Sequence, residues 1–313
     1  MQNRRKFVKN MLLGAAGITT LSSFDLLNLT KKEKLVKLTI LHTNDMHSRI
    51  DPFGPNDKKY ANRGGMSRVA TLVNQIREEE SNVILLDAGD IFQGTPYFNL
   101  FGGEVELKLM SQMKYDAGTM GNHDFDNGID GFNKVLPHAN FPFLCANYDF
   151  DNTILKGKTK PYHIIEKQGV KIGIFGIGIE LEGLVDAKLY EGTIYNDPIS
   201  TANKYAKLLK EELDCNAVIC LSHLGYDYDG EILSDKILAK QTQNIDLIIG
   251  GHTHTFLEKA ETFSNKIGKP ILVNQAGWAA LGLGRVDLYF NRQKERVDDL
   301  NVQFTPAKNY AKI

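Results

Sequence analysis

Short apolar runs recur along the chain, and five of them are closely followed by polar motifs. The runs are Leu38-Thr39-Ile40-Leu41, Val83-Ile84-Leu85-Leu86, Tyr115-Asp116-Ala117-Gly118-Thr119, Ala217-Val218-Ile219-Cys220-Leu221 and Ile245-Asp246-Leu247-Ile248-Ile249. Short, β-branched or leucine-rich stretches of this kind read as buried strands. Behind them stand Asp45-Met46-His47, Gly89-Asp90, Gly121-Asn122-His123-Asp124, Ser222-His223 and Gly250-Gly251-His252-Thr253-His254. In open α/β sheets the ligand site lies beyond the carboxyl ends of the strands. Five strand ends therefore aim Asp, His and Asn side chains into one crevice, and five of the eight histidines lie in these motifs.

Between the runs the period changes. Residues 64–80 carry Met66, Val69, Ala70, Val73 and Ile76 as one helical stripe, and residues 104–113 and 129–135 also read as helices, the latter closed by Pro137. Residues 143–146 read as a further strand. Two apolar stretches flanking Gln168-Gly169 predict a hairpin. Asp197-Pro198 opens a long helix through Leu213, with Asp197 as its N-cap. The tail (residues 271–274, 284–290 and 297–304) is strand-rich. No repeat, low-complexity tract or clear domain linker interrupts this order. Two β-α halves with a β-rich close predict one domain of two stacked sheets flanked by helices.

The first 34 residues do not fit that pattern. Asn3-Arg4-Arg5-Lys6-Phe7-Val8-Lys9 precedes an uncharged stretch from Met11 to Leu21. A charged segment followed by a short apolar one is a secretory signal, too short for a comfortable membrane span. The Arg pair followed by Phe and Lys resembles the twin-arginine export motif, with Asn3 in place of Ser and Val8 in place of Leu. No Ala-x-Ala cleavage site stands near Ser22 and Ser23, which leaves an uncleaved anchor open. The expected division is a signal and linker over residues 1–34, a catalytic domain over 35–313, and a periplasmic location.

Composition narrows the function classes. The chain has 313 residues, 42% hydrophobic and 24% charged, with a net charge of −1. Four of the 37 basic and one of the 38 acidic groups fall in residues 1–30, so the remainder carries a balance of −4. No basic surplus points to nucleic acid as a partner. Cys145, Cys215 and Cys220 offer no disulfide framework or zinc-finger spacing and read as buried free thiols.

Carboxylate, imidazole and amide donors without thiolate suit Mn, Fe or Zn rather than Ca, and exclude a Cys-type structural zinc site. Asp45 and His47, two apart, point the same way in extended backbone and so grip one ion together. Asp90, central among the motifs, is the natural bridge, since a carboxylate offers one oxygen to each of two metals about 3.5–4 Å apart. Such a pair acidifies a shared water and clamps a phosphoryl group. Arg63 and Arg68 read as surface or packing residues, and Trp278 as loop packing with base stacking as its alternative.

The five motifs, in this order, resemble the signature of calcineurin-like metallophosphoesterases. More narrowly, Leu41-His42-Thr43-Asn44-Asp45-Met46-His47, Gly64-Gly65-Met66-Ser67-Arg68, the segment from Leu86 to Thr95 and Gly121-Asn122-His123-Asp124-Phe125-Asp126 resemble the bacterial 5′-nucleotidase branch. The resemblance covers roughly residues 36–305 and implies a four-layer α/β/β/α sandwich. It places one metal on Asp45, His47, Asp90 and His254, and the other on Asp90, Asn122, His223 and His252. Several nucleotidases have Gln where this chain has His254, a change that puts an imidazole nitrogen at that position. His123 resembles the non-ligand histidine that contacts phosphate, and Asp126 its carboxylate partner. The spacing supports that pair independently, since i and i+3 share a face at a helix start. Asp124 is expected to be structural.

Bacterial 5′-nucleotidases carry a C-terminal domain that stacks the base, and this sequence stops at Ile313, where that domain would begin. Together with the signal-like N-terminus, the resemblance implies a secreted dinuclear phosphoesterase acting on phosphate esters, nucleotides first among them, through a metal-bridging hydroxide. A separate specificity subunit resembling the absent domain is the expected partner, beside the phosphorylated substrate. The rival readings are a related hydrolase of cyclic nucleotides, nucleotide sugars or a sulfur-linked ester, and a catalytically idle subunit that binds phosphate ligands.

Overall fold

The computed structural model describes residues 35–297. The signal and twin-arginine readings lie outside these residues, as does the predicted last strand beyond Val297. Along the chain come β1 (Val36–Thr43), α1 (Met66–Glu79), β2 (Val83–Asp87), α2 (Pro96–Phe101), α3 (Glu104–Gln112), β3 (Ala117–Gly118) and α4 (Gly128–Val135). Then follow β4 (Tyr148–Asp149), β5 (Tyr162–Lys167), β6 (Val170–Ile177), β7 (Ile194–Tyr195), α5 (Pro198–Lys207), β8 (Ala217–Ser222), α6 (Asp235–Gln241), β9 (Leu247–Gly250), β10 (Glu261–Ser264), β11 (Pro270–Asn274) and β12 (Gly284–Phe290).

One sheet has the order β12-β1-β2-β3 and the other β10-β11-β9-β8-β6-β5, with β4 and β7 as a separate ribbon. The inner strands of both sheets run parallel, and β12, β10 and β5 close the sheets antiparallel. The period-2 alternation of each strand then decides which layer a side chain joins. Leu38, Ile40, Ile84 and Leu86 from the first sheet meet Ile219, Leu221, Leu247 and Ile249 from the second in the core between the sheets. Leu41 and Leu85 face outward onto the Met66, Val69, Val73 and Ile76 stripe of α1. Val218, Cys220 and Ile248 face the opposite way, onto Ala202 and Ala206 of α5 and Leu238 of α6. The result is two stacked mixed sheets between helices, an α/β/β/α sandwich. Each fully buried aliphatic side chain adds about 1.5–3 kcal/mol of transfer free energy.

Local chemistry fixes the joints. Gln168 (φ 49°) and Gly169 (φ 75°) form the predicted two-residue hairpin loop, both left-handed as a type I′ turn requires. The Asp197 carboxylate accepts the Ser200 N–H at 2.7 Å and caps α5, which continues as a wider turn over Leu208–Glu212.

Two predicted strands differ. Of residues 115–119 only Ala117 and Gly118 pair within the sheet. Residues 143–146 are not a strand of either sheet, because this segment crosses the seam between them and changes partner at each step. The Leu144 N–H donates to Gly118 O at 2.8 Å, that of Cys145 to Lys160 O at 2.8 Å, and that of Ala146 to Gly176 O at 2.8 Å. Gly176 is required there, since a Cβ would stand 1.8 Å from the Leu144 carbonyl oxygen. The short elements α2, α6, β4, β7 and β10 escaped the periodicity, being too brief to show one. No helix among the described residues is long and apolar enough to cross a membrane.

Candidate metal centre

All five motifs meet beyond the strand ends. The loop after β1 runs beside the loop after β2: the Asp45 N–H donates to Gly89 O at 2.8 Å, His47 to Asp90 O at 3.0 Å and Ser48 to Ile91 O at 2.8 Å. This pairing corrects the expectation of an extended Asp45–His47 segment. Both residues are left-handed (φ 50° and 47°), because the backbone turns to satisfy its amides against the neighbouring loop. The side chains still converge. Asp90 (φ 56°), His252 (φ 73°) and His254 (φ 54°) share that conformation, which costs about 1–3 kcal/mol per residue and is typical of functional loops.

Two donor groups result, Asp45 with His47 and His254, and Asp90 with His223 and His252; the donor atoms of each lie within 4.8 Å of one another. In the first, Nε2 of His254 stands 3.4 Å from Oδ1 of Asp45 and 3.0 Å from Nε2 of His47. In the second, Nε2 of His223 is 3.1 Å from Oδ2 of Asp90. That same Asp90 oxygen is 3.9 Å from Nε2 of His47, so Asp90 faces both groups. Oδ1 of Asn122 lies 2.8 Å from Nδ1 of His252 and so joins the second group. All seven predicted ligand residues are thereby brought together. Gly121 makes this approach possible, since a Cβ there would sit 2.2 Å from Oδ1 of Asp90 and 2.6 Å from the His223 ring.

The electrostatics suit cations. Asp45 and Asp90 are buried carboxylates, which are costly without a positive partner. Burial works against charge on His223, yet Asp90 and then Asp45 outweigh it and push its pKa up to about 10. Burial raises Asp90, but His223, with His47 and His123 beyond it, holds the carboxyl below the usual range. Burial lowers His47, and burial with the His223 charge brings His252 down to about 4. Nε2 of His47 and Nε2 of His254 face each other at 3.0 Å, an arrangement that a shared cation satisfies. The residues fit a pair of divalent ions.

Beside the donors, Nδ1 of His123 is 2.8 Å from Oδ2 of Asp126, and this bond raises the His123 pKa against partial burial. Asp124 points away, as its i+1 position predicts. Its Oδ2 accepts the N–H groups of Asp90 at 2.9 Å and Gly121 at 2.8 Å, and its Oδ1 those of Ile91 at 3.0 Å and Phe92 at 3.2 Å. It thus ties the Asp90 loop to the Gly121 turn. Arg68 packs on the carbonyls of Asn62 and Gly64, and Arg63 faces the Tyr60 ring. The three cysteines are buried and free.

Sequence reasoning missed three supports. Asn44 donates to Oδ2 of Asp45 at 2.6 Å, and only its place beside Asp45 in the first motif hinted at this. Gln275 donates to Gly251 O at 2.6 Å and accepts from Thr253 and Thr255, holding the His252–His254 turn. Trp278 lies flat on the His254 ring.

A model of the family described as calcineurin-like phosphoesterase matches residues 38–256. The chain is 33% identical over 312 residues to the trifunctional nucleotide phosphoesterase protein YfkN of Bacillus subtilis, covering 89% of this chain and 20% of that protein. It is 36% identical over 242 residues to the 5′-nucleotidase of Rattus norvegicus, covering 74% of this chain and 40% of the other. Among solved structures it resembles the 5′-nucleotidase precursor of Thermus thermophilus (TM-score 0.75, 30% identity, 84% of this chain and 53% of that one). The NAD nucleotidase of Haemophilus influenzae is similar to the same degree (TM-score 0.74, 30% identity, 84% and 49%). The chain thus spans between a fifth and about half of the length of these relatives.

Proposed function

Since the chain belongs to the calcineurin-like phosphoesterase family, hydrolases of ester bonds, we propose that it hydrolyses phosphate monoesters of nucleotides with two divalent ions. One ion would be held by Asp45, His47, Asp90 and His254, the other by Asp90, Asn122, His223 and His252. Mn, Zn and Fe suit this donor set. Bound there, such a pair supplies an acidified water and a clamp on the phosphoryl oxygens.

The chain's own residues do the rest. His123, its Nδ1 on Asp126, presents Nε2 to the reacting phosphate and gives a proton to the leaving alkoxide or holds the developing charge. Asp126 keeps that ring protonated and oriented. Asp124 and Asn44 keep the loops carrying Asp90 and Asp45 in register. The observation that carries the reading is one carboxylate, Asp90, facing both donor groups with the His123–Asp126 pair alongside. The nucleotidase relatives support nucleotides as the substrate class. Residues 1–34 are proposed as an export address and residues 35–313 as the catalytic unit.

The test is hydrolysis by the purified, Mn-loaded chain of p-nitrophenyl phosphate, its bis-ester and a panel of nucleoside monophosphates. Metal-dependent release of phosphate from the nucleotides supports the reading. Turnover of the bis-ester alone would move it to a diesterase, and no turnover of any ester would contradict it.

A further inference from the structure

The histidines of the centre are not held alike. His47 has Nδ1 3.4 Å from Phe92 O, and His223 has Nδ1 2.7 Å from Ala88 O, so a backbone carbonyl fixes each ring. That is the ordinary way a ligating imidazole is oriented. His254 has no such partner for Nδ1 among the described residues, and its side chain is the most open of the first group, 38% exposed against 7% for His47. Its ring instead lies parallel to the indole of Trp278, with centroids 5.2 Å apart and planes 1° apart.

The indole is itself fixed. Phe53 and Tyr60 meet it edge to face, with centroids at 6.0 and 6.2 Å. Its loop is tied on both sides to residues at the centre: Gly277 N–H donates to Thr255 O at 3.0 Å, and Ala279 N–H to Asp45 O at 2.7 Å. Gly277 (φ 82°) admits the Phe256 ring, which a Cβ would meet at 2.1 Å. The loop therefore presents the indole to His254 as a rigid plate.

We propose that Trp278 is a positioning residue that orients His254 for metal binding by ring stacking in place of a hydrogen bond at Nδ1. This rests on the two-ion reading above. A partly exposed imidazole whose Nδ1 has no hydrogen-bond partner among the described residues is less restrained in rotamer, and selecting one on metal binding costs entropy; the plate removes that freedom beforehand.

Trp278 is the chain's sole tryptophan, so its emission reports on the stack directly. The experiment titrates the metal-free full chain with Zn²⁺, by calorimetry and by tryptophan emission. The wild-type chain is expected to bind two ions and to change emission with one of them. His254→Ala should abolish that emission change. Trp278→Ala should weaken one ion about 10–100-fold, as loss of an orienting partner does, and leave the other within about threefold, while Trp278→Phe, which restores a ring, should recover most of the loss. Two ions bound by Trp278→Ala with wild-type affinity, or two ions bound by the wild-type chain with no emission change, would overturn the inference alone. A wild-type chain that binds no ion would overturn the two-ion reading and this inference with it.

Discussion

His123 and Asp126 sit one helical turn apart with Nδ1 2.8 Å from Oδ2, beside a group of metal-type donors that neither of them joins. A ring tethered in this way keeps Nε2 as a proton donor facing the crevice. His123→Ala should lower kcat by roughly 10²–10⁴-fold, the usual worth of a positioned acid, with metal content unchanged by elemental analysis. A variant that arrives with an ion missing would show His123 to be a ligand.

The same pair sets a pH dependence. Asp126 raises the His123 pKa, and an acid works only while protonated, so kcat should fall as pH rises through that raised pKa. Asp126→Asn removes the charge, lowers the His123 pKa and should shift the alkaline fall to lower pH, with a smaller loss at the optimum than His123→Ala. Steady-state kinetics across pH check this, and an unmoved alkaline limb would contradict it.

Asp124 should behave differently. Asparagine in its place puts an NH₂ group against two of the four backbone N–H groups its oxygens accept. Two unsatisfied buried donors cost about 2–6 kcal/mol together. Asp124→Asn should therefore lower the denaturant midpoint markedly, while His123→Ala leaves it nearly unchanged. A larger kcat loss for Asp124→Asn than for Asp126→Asn, without loss of stability, would make Asp124 the carboxylate that serves His123.

Much of this was legible because ligand residues follow strands. A buried run such as residues 217–221 shows its pattern over a few positions, and the polar residue after it must lie at the strand end, so the sequence itself places His223. Asp126 was legible from the family resemblance, with the i, i+3 spacing in support. The turn at Asp45 and His47 was not, because its left-handed backbone answers to amide partners in the Gly89–Ile91 loop, some forty residues away. Residues 143–146 misled for a related reason: their apolar character reflects burial at the seam, which looks like a strand but pairs residue by residue. The Trp278 stack and the Gln275 bonds depend on a loop that returns from far along the chain.

Gly121 offers a test of how tightly the centre is packed. A methyl group there would press on Asp90 and His223 together. Gly121→Ala should weaken metal at the Asp90–His223–His252 group by about tenfold or more, roughly 1.4 kcal/mol at that ratio, and at the Asp45–His47–His254 group, which shares Asp90 but not His223, by less. Two-site metal titration reads the difference, and equal weakening of both groups would contradict it.

Export is testable without structure. Replacing Arg4 and Arg5 by lysine keeps the charge but removes the guanidinium pair that the twin-arginine route reads, so the protein should remain in the cytoplasm. Continued export of that variant would point to the general secretory route, and peptide mapping of the exported form shows whether the chain is cut near Ser23.

If Asp90 serves two ions at once, Asp90→Asn takes a ligand from both. The substitution keeps shape and removes the charge that both donor groups face. Elemental analysis and hydrolysis of a nucleoside monophosphate should show two ions and full turnover in the wild-type chain, and loss of both ions together with turnover in Asp90→Asn. Two tightly held ions in the variant, or full turnover by wild-type protein stripped with chelator and assayed without metal, would contradict the account.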